Sequence, residues 1–242
     1  MSKRRSSISK HRSYTTYKTY FFTLCALLFA LGAASCAPRL AEKPSYTGVP
    51  LEEALANLRD IASIEAVLSV EYAKNDSTMT GDAFLNLSEN RLNLRLYYLG
   101  FLAGEVSEEN GVIKSNPKLS KYKSIILVDG LKNSFFWWNL GEYTMQEKGD
   151  VYVLKNYNRK VLVSKETLLP VHQTIELDDG EELDISYDAP AKQAPAKTDE
   201  ASAPAAAKSG PESWYQSSLA IRFRNHLVRV KVKSYSVAKL KG

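Results

Sequence analysis

From Ile64 onward the chain alternates apolar and polar residues with a period of two. Ile64, Ala66, Leu68, Val70 and Tyr72 fall on one face, with Glu65, Val67, Ser69 and Glu71 between them. Ala83, Leu85 and Leu87 continue the pattern, then Leu92, Leu94, Leu96 and Tyr98, with Asn75-Asp76 and Glu89-Asn90 as turns. This is the signature of antiparallel strands with one buried face. Upstream, Leu51, Leu55, Leu58 and Ile61, with Ala54 and Ala62, keep helical spacing behind Pro50 and the first-turn acids Glu52 and Glu53. A helix from about Pro50 is predicted.

The alternation breaks at Leu99-Gly100-Phe101-Leu102-Ala103-Gly104 and resumes through Val106 to the hairpin signal Asn110-Gly111. Ser124 to Val128 reads as one more short strand. Asp129 to Gly141, which holds Phe135-Phe136-Trp137-Trp138, reads as a second short helix capped by Asp129. Further strands are marked by Tyr143 and Met145, by Val151 and Val153, and by Val161 and Val163. The pair Val171–Leu177 and Leu183–Tyr187 follows, then the closing pair Leu219–Phe223 and Val228–Tyr235. Residues 189–213 contain nine Ala, four Pro and three Lys among 25 positions. Such a stretch buries too little apolar surface to offset its ordering entropy, so a disordered insertion is expected there.

Every strand offers one apolar face, and the helices are the available cover. The expected fold is mainly β: an open antiparallel half-barrel of roughly ten strands, with two helices over its concave face.

The first 35 residues are different. They carry six cations and no acid, then an apolar run over Phe21–Leu31 followed by Gly32-Ala33-Ala34. The run falls short of the ~20 residues of a spanning helix and has the layout of an export signal. It ends at Ser35-Cys36, small residues before a cysteine, which resembles a lipobox. Cys36 is the only cysteine outside the apolar run, because Cys25 lies within it. It is therefore expected to be a lipid anchor rather than half of a disulfide. Residues 36–47 form the lipidated N-terminus and its tether, and 48–238 the folded domain.

Charge is unevenly distributed along the chain. The formal charge of +5 is a leader at +6 joined to a remainder at −1. No nucleic-acid partner is expected. Residues 176–188 hold seven acids and no cation, while 215–242 hold seven cations and no acid. Outward-facing charges in the two segments are expected to pair across strands.

Catalytic material is sparse. His172 and His226 are isolated and expected to be solvated; Ser120-x-x-Lys123 lies in a Lys-rich loop; the acids around Gly180 lack the alternation of a calcium loop. No catalytic residue, metal site or cofactor beyond the covalent lipid on Cys36 is expected. Two apolar clusters exceed what a core needs: Leu99, Phe101 and Leu102 at a strand end, and the four consecutive aromatics. The first is the candidate membrane contact. Phe135, Phe136, Trp137 and Trp138 are the candidate lining or lid of a cavity.

At these residues the chain resembles the LolA/LolB superfamily, and within it the outer-membrane lipoprotein receptor type. Leu99-Gly100 matches the Leu-Gly pair that presents an exposed leucine to the membrane, and Trp138-Asn139-Leu140-Gly141 matches the Trp-x-x-Gly end of the lid helix. The first helix lacks the family's Trp, and 189–213 is extra. The resemblance implies a non-enzymatic, monomeric lipoprotein of the outer membrane, facing the periplasm. It implies a cavity for acyl chains, with membrane lipid, lipidated cargo and a periplasmic carrier as partners. The alternative is an envelope-assembly lipoprotein that uses the same fold, with a filled core, as a protein docking surface.

Overall fold

The computed structural model describes residues 50–188, 190–192 and 214–240. The expected export signal, Cys36 and its expected tether lie outside the described residues, as does nearly all of the expected 189–213 insertion.

Helix α1 (Leu51–Arg59) buries Leu51 and Leu55. It stops at Asp60, and Ile61 and Ala62, expected on its apolar stripe, instead begin β1 (Ile61–Lys74). A meander follows: β2 (Ser77–Ser88), β3 (Arg91–Tyr98), β4 (Phe101–Glu109) and β5 (Val112–Asn116). A continuous helical stretch comes next, formed by α2 (Lys121–Ser124), a π-helical turn (Ile125–Gly130) and α3 (Leu131–Phe135). The second half contains β6 (Thr144–Lys148), β7 (Val151–Lys155), β8 (Arg159–Ser164), β9 (Pro170–Glu176) and β10 (Glu182–Tyr187). The two-residue strands β11 (Ala191–Lys192) and β12 (Trp214–Tyr215) pair with each other. The long hairpin β13 (Ser218–Phe223) and β14 (His226–Lys239) ends the fold.

Twelve strands form one antiparallel sheet in the order β5-β4-β3-β2-β1-β14-β13-β10-β9-β8-β7-β6. The long central pair β1–β14 joins the two meanders, and the sheet ends at β5 and β6 without closing. The fold is thus the expected open, mainly β half-barrel. Alternation puts Ile64, Leu68, Leu85, Leu94, Ile185, Ile221 and Val230 inside, all essentially fully buried.

Three local expectations are corrected. Ser124–Val128 is helical, not a strand. The β-branched pair Ile125-Ile126 suggested extension, but Ser120 accepts from the Lys123 amide and starts a helix, and Ile126 and Val128 become buried helical residues. The helical stretch therefore begins at Lys121 and not at Asp129. In β7 the fully buried residue is Leu154, and Tyr152 packs against the core, so its inward face is one residue out of phase with that read from Val151 and Val153. On β9 the expected inward Val171 is exposed, because the register with β8 slips at Leu162/Val163.

Candidate functional site

The helical stretch crosses the inner face and separates two kinds of lining. Lys121, Ile125, Asp129 and Asn133, spaced by four and so on one face, border a polar cleft against Arg159 and the β9–β10 turn. Lys123, Ile126 and Leu127, with Leu119 before the helix, border an apolar cavity of about 240 Å³ against β1–β4. Its walls include Val70, Tyr72, Leu96, Tyr97 and Val228. Two glycines keep that wall tight. A Cβ on Gly81 would stand 2.4 Å from the Tyr97 carbonyl oxygen, and one on Gly104 would stand 3.2 Å from the Asn116 carbonyl oxygen.

Tyr98 and Ala103, on either side of the β3–β4 turn, line the same cavity, while Leu99, Gly100, Phe101 and Leu102 do not. Leu99 and Gly100 are the turn's two central residues, both with positive φ (50° and 81°). Such turns favour Asn or Gly, and this chain uses Asn75 and Asn110 with positive φ in the turns after β1 and β4. A leucine held there costs roughly 1–2 kcal/mol. Leu99 is nevertheless 79% exposed, and Phe101 is 78% exposed. Leu102 and Tyr98 are also exposed, and Tyr98 lines the cavity together with the exposed Met79. An apolar tip therefore stands at the end of two strands that line the cavity.

The four aromatics occupy a different place. Phe135, Phe136, Trp137 and Trp138 are all buried, with Trp137 and Trp138 edge-on at 5.8 Å and Phe136 and Trp138 edge-on at 5.4 Å. None of them lines the apolar cavity. The helix ends at Phe135, so the chain turns through Phe136–Leu140 and spreads the rings within the core instead of around a helix.

What holds this segment was not read from the sequence. Arg159 Nη1 donates to the Asn139 carbonyl (2.8 Å), and Nη2 donates to the Trp137 carbonyl (3.3 Å) and to Gln173 Oε1 (3.1 Å). Asn156 Nδ2 donates to the Leu140 carbonyl at 2.6 Å, and Asn156 Oδ1 accepts from the Arg159 amide. These groups satisfy carbonyls beyond the helix end. Burial lowers the Arg159 guanidinium to about 10. The signal was parity: Arg159 is in phase with the buried Val161 and Val163. Glu108, in phase with Val106, is likewise buried; it accepts from Lys132 Nζ (3.0 Å) and from the Gly111 amide. Tyr187 Oη donates to the Ser134 carbonyl, so both halves of the sheet grip the segment.

The histidines are not free in solvent. His226 is buried, because it shares the inward phase of Val228 and Val230, and its Nδ1 lies 2.6 Å from Tyr72 Oη. Burial, then the charges of Lys74 and Lys123, depress its pKa. His172 Nε2 stands 2.8 Å from Asp184 Oδ1 on the neighbouring strand. The acidic turn is explained by ion pairs: Asp179 accepts from Lys121, and Glu181 pairs with Arg224. The basic hairpin finds its other partners on the opposite side, Arg229 with Glu71 on β1 and Lys233 with Asp82 on β2.

The fold and its inner cavity together define an open antiparallel half-barrel crossed by a helical segment. Among solved structures this chain is similar to a LolA superfamily protein from Nitrosomonas europaea, at TM-score 0.48 and 11% identity over 80% of this chain and 96% of that one. It is similar to a DUF1329 family protein from Desulfovibrio piger at TM-score 0.45 and 11% identity, covering 77% of this chain and 90% of that one. It is also similar to a putative outer membrane lipoprotein-sorting protein domain from Vibrio parahaemolyticus, at TM-score 0.45 and 10% identity, covering 79% and 93%. No family model matches the sequence, and no curated protein matches it.

Proposed function

We propose that this chain is a membrane-tethered, non-enzymatic lipoprotein that takes an acyl chain into the cavity between the helical segment and β1–β4. The exposed Leu99 tip gives it access to the bilayer. In the finer form of this reading it faces the periplasm from the outer membrane, anchored through lipid on Cys36, and accepts or inserts lipidated proteins brought by a periplasmic carrier. The observation that carries the reading is Leu99 itself. Neither its left-handed backbone nor its exposed side chain favours folding, and the turn stands beside an apolar cavity mouth. The chemistry is transfer without bond breaking, driven by the difference in affinity between cavity and bilayer.

Leu99→Glu tests it. The variant is expected to keep its fold while delivery of lipidated protein to the membrane stalls; delivery at the normal rate contradicts the reading. Mass spectrometry of the mature N-terminus tests the anchor, with a lipid mass on Cys36 as the expected result. A second reading, a docking protein with a filled core, is favoured by the close packing of Phe135–Trp138 within the inner face. It predicts that neither cavity nor tip matters for activity.

A further inference from the structure

The apolar cavity has a charge at its edge that an acyl chain alone does not explain. Three ionisable residues other than tyrosine are part of its lining: Asp82, Glu105 and Lys123. The two acids are paired, Asp82 with Lys233 Nζ at 2.6 Å and Glu105 with Arg95 Nε at 3.0 Å. Lys123 has no carboxylate partner among the described residues. Its Nζ rests over the Tyr72 ring, 5.3 Å from the centroid. Nothing beneath it offers a counter-charge, because Tyr72 Oη is bonded to the buried imidazole of His226. An unpaired cation thus stands at the rim of a cavity whose remaining lining is mostly apolar or already paired.

Size narrows the occupant further. At about 240 Å³ the cavity is below the ~300–1,000 Å³ of pockets for drug-sized ligands. It suits one extended alkyl chain and not several side by side. We infer that the ligand of this cavity is a single-chain amphiphile with an anionic head, carboxylate or phosphate monoester, whose head pairs with Lys123 while its chain lies against Leu96, Ile126 and Leu127. The inference rests on the acyl-chain cavity of the reading above, not on its lipidated-protein cargo, and adds the head-group chemistry to that cavity. A charge-assisted contact with the exposed Lys123 at the rim favours one direction of entry, tail first.

Binding of four probes of equal chain length to the full mature protein tests this: dodecanoate, dodecyl phosphate, dodecanol and dodecyltrimethylammonium, each below its micelle concentration. The expected result is that at least one anionic probe binds about tenfold or more tightly than dodecanol and the cationic probe more weakly still. A preference for dodecanoate assigns a fatty acid, and a preference for dodecyl phosphate assigns a phosphate ester. Lys123→Gln should erase the anionic preference, bringing dodecanoate and dodecyl phosphate to within about twofold of dodecanol in the same variant. Lys123→Glu should reverse the order, and circular dichroism checks that either variant folds. Equal affinity for all four heads, or an anionic preference that survives Lys123→Gln, overturns the head-group inference while the cavity reading stands. Failure of every probe, dodecanol included, overturns both.

Discussion

Arg159 on β8 donates from Nη1 to the carbonyl oxygen of Asn139, 2.8 Å away, just beyond the end of the helical segment that covers the sheet. A second bond to the Trp137 carbonyl makes this one guanidinium, with Asn156 and Tyr187, one of the points at which the covering segment is fastened to the β6–β10 half. Arg159→Met removes both bonds and the one to Gln173 Oε1, which leaves the buried acceptors without donors at about 1–3 kcal/mol each, partly offset by relief from burying the charge. A net loss of about 2 kcal/mol in urea unfolding is expected. Arg159→Lys, which keeps the charge without the planar fork, should lie between.

Leu99 predicts an unusual pairing of effects. Leu99→Asn places a residue suited to positive φ in the β3–β4 turn and removes an exposed apolar side chain. Stability should rise by about 0.5–1 kcal/mol while binding to phospholipid vesicles falls. A gain in stability with unchanged vesicle binding would detach the tip from the membrane.

Gly130 sits in the helical stretch where an ordinary helix position would favour alanine by about 1 kcal/mol. A Cβ there would meet Ile221 Cγ2 at 2.8 Å, and Ile221 is fully buried on β13 and stiff at χ1. Gly130→Ala should therefore destabilise, by about 1–3 kcal/mol, against its helix propensity. Thermal unfolding of the variant measures the sign directly.

Asp129 faces the polar cleft, and burial raises its carboxyl from 3.8 to about 6, with Lys132 pulling it down and Glu108 pushing it up. Between those two values the folded chain holds a proton that the unfolded chain has released. The stability this group contributes is thus complete below 3.8 and is lost as pH rises through about 6. Above that pH, Asp129→Asn should be more stable than the parent by on the order of 1–2 kcal/mol, and the advantage should shrink in acid. Urea titrations of the pair across this range check the sign.

Tryptophan emission should respond little to a bound alkyl chain. Trp137 and Trp138 are buried with each other and Phe136, and the cavity wall contains neither. In a Trp214→Phe background, a large blue shift on adding dodecanol would mean that the chain enters among the aromatics instead.

The strand alternation was legible because one face of each strand is buried, which makes period two visible in Ile64–Tyr72 or Leu92–Tyr98 without any tertiary knowledge. The Leu99–Leu102 tip was legible for a related reason: apolar residues in a turn have no core to enter. What could not be read came from packing across long sequence distance. Leu119–Leu127 looks like a loop with a β-branched strand, and only its seat against Val70, Leu96 and Val228 makes it the wall of a cavity. Conversely, four aromatics in a row suggested a cavity lining, yet the chain leaves the helix at Phe135 and turns, which lets all four rings become core. Arg159 and His226 are polar residues at strand ends, where solvent is the ordinary place for them, yet each is in phase with its strand's buried face. Phase is a better guide to burial than residue type at strand ends.

The measurement that bears most directly on the cavity is photolabelling of the mature protein with a neutral dodecyl chain that carries a terminal diazirine. Crosslinks to peptides containing Leu96, Ile126, Leu127 and Val228 are expected, and their loss when excess dodecanol competes. Crosslinks concentrated on Phe135–Trp138, or spread over the surface and insensitive to competition, would contradict the cavity reading.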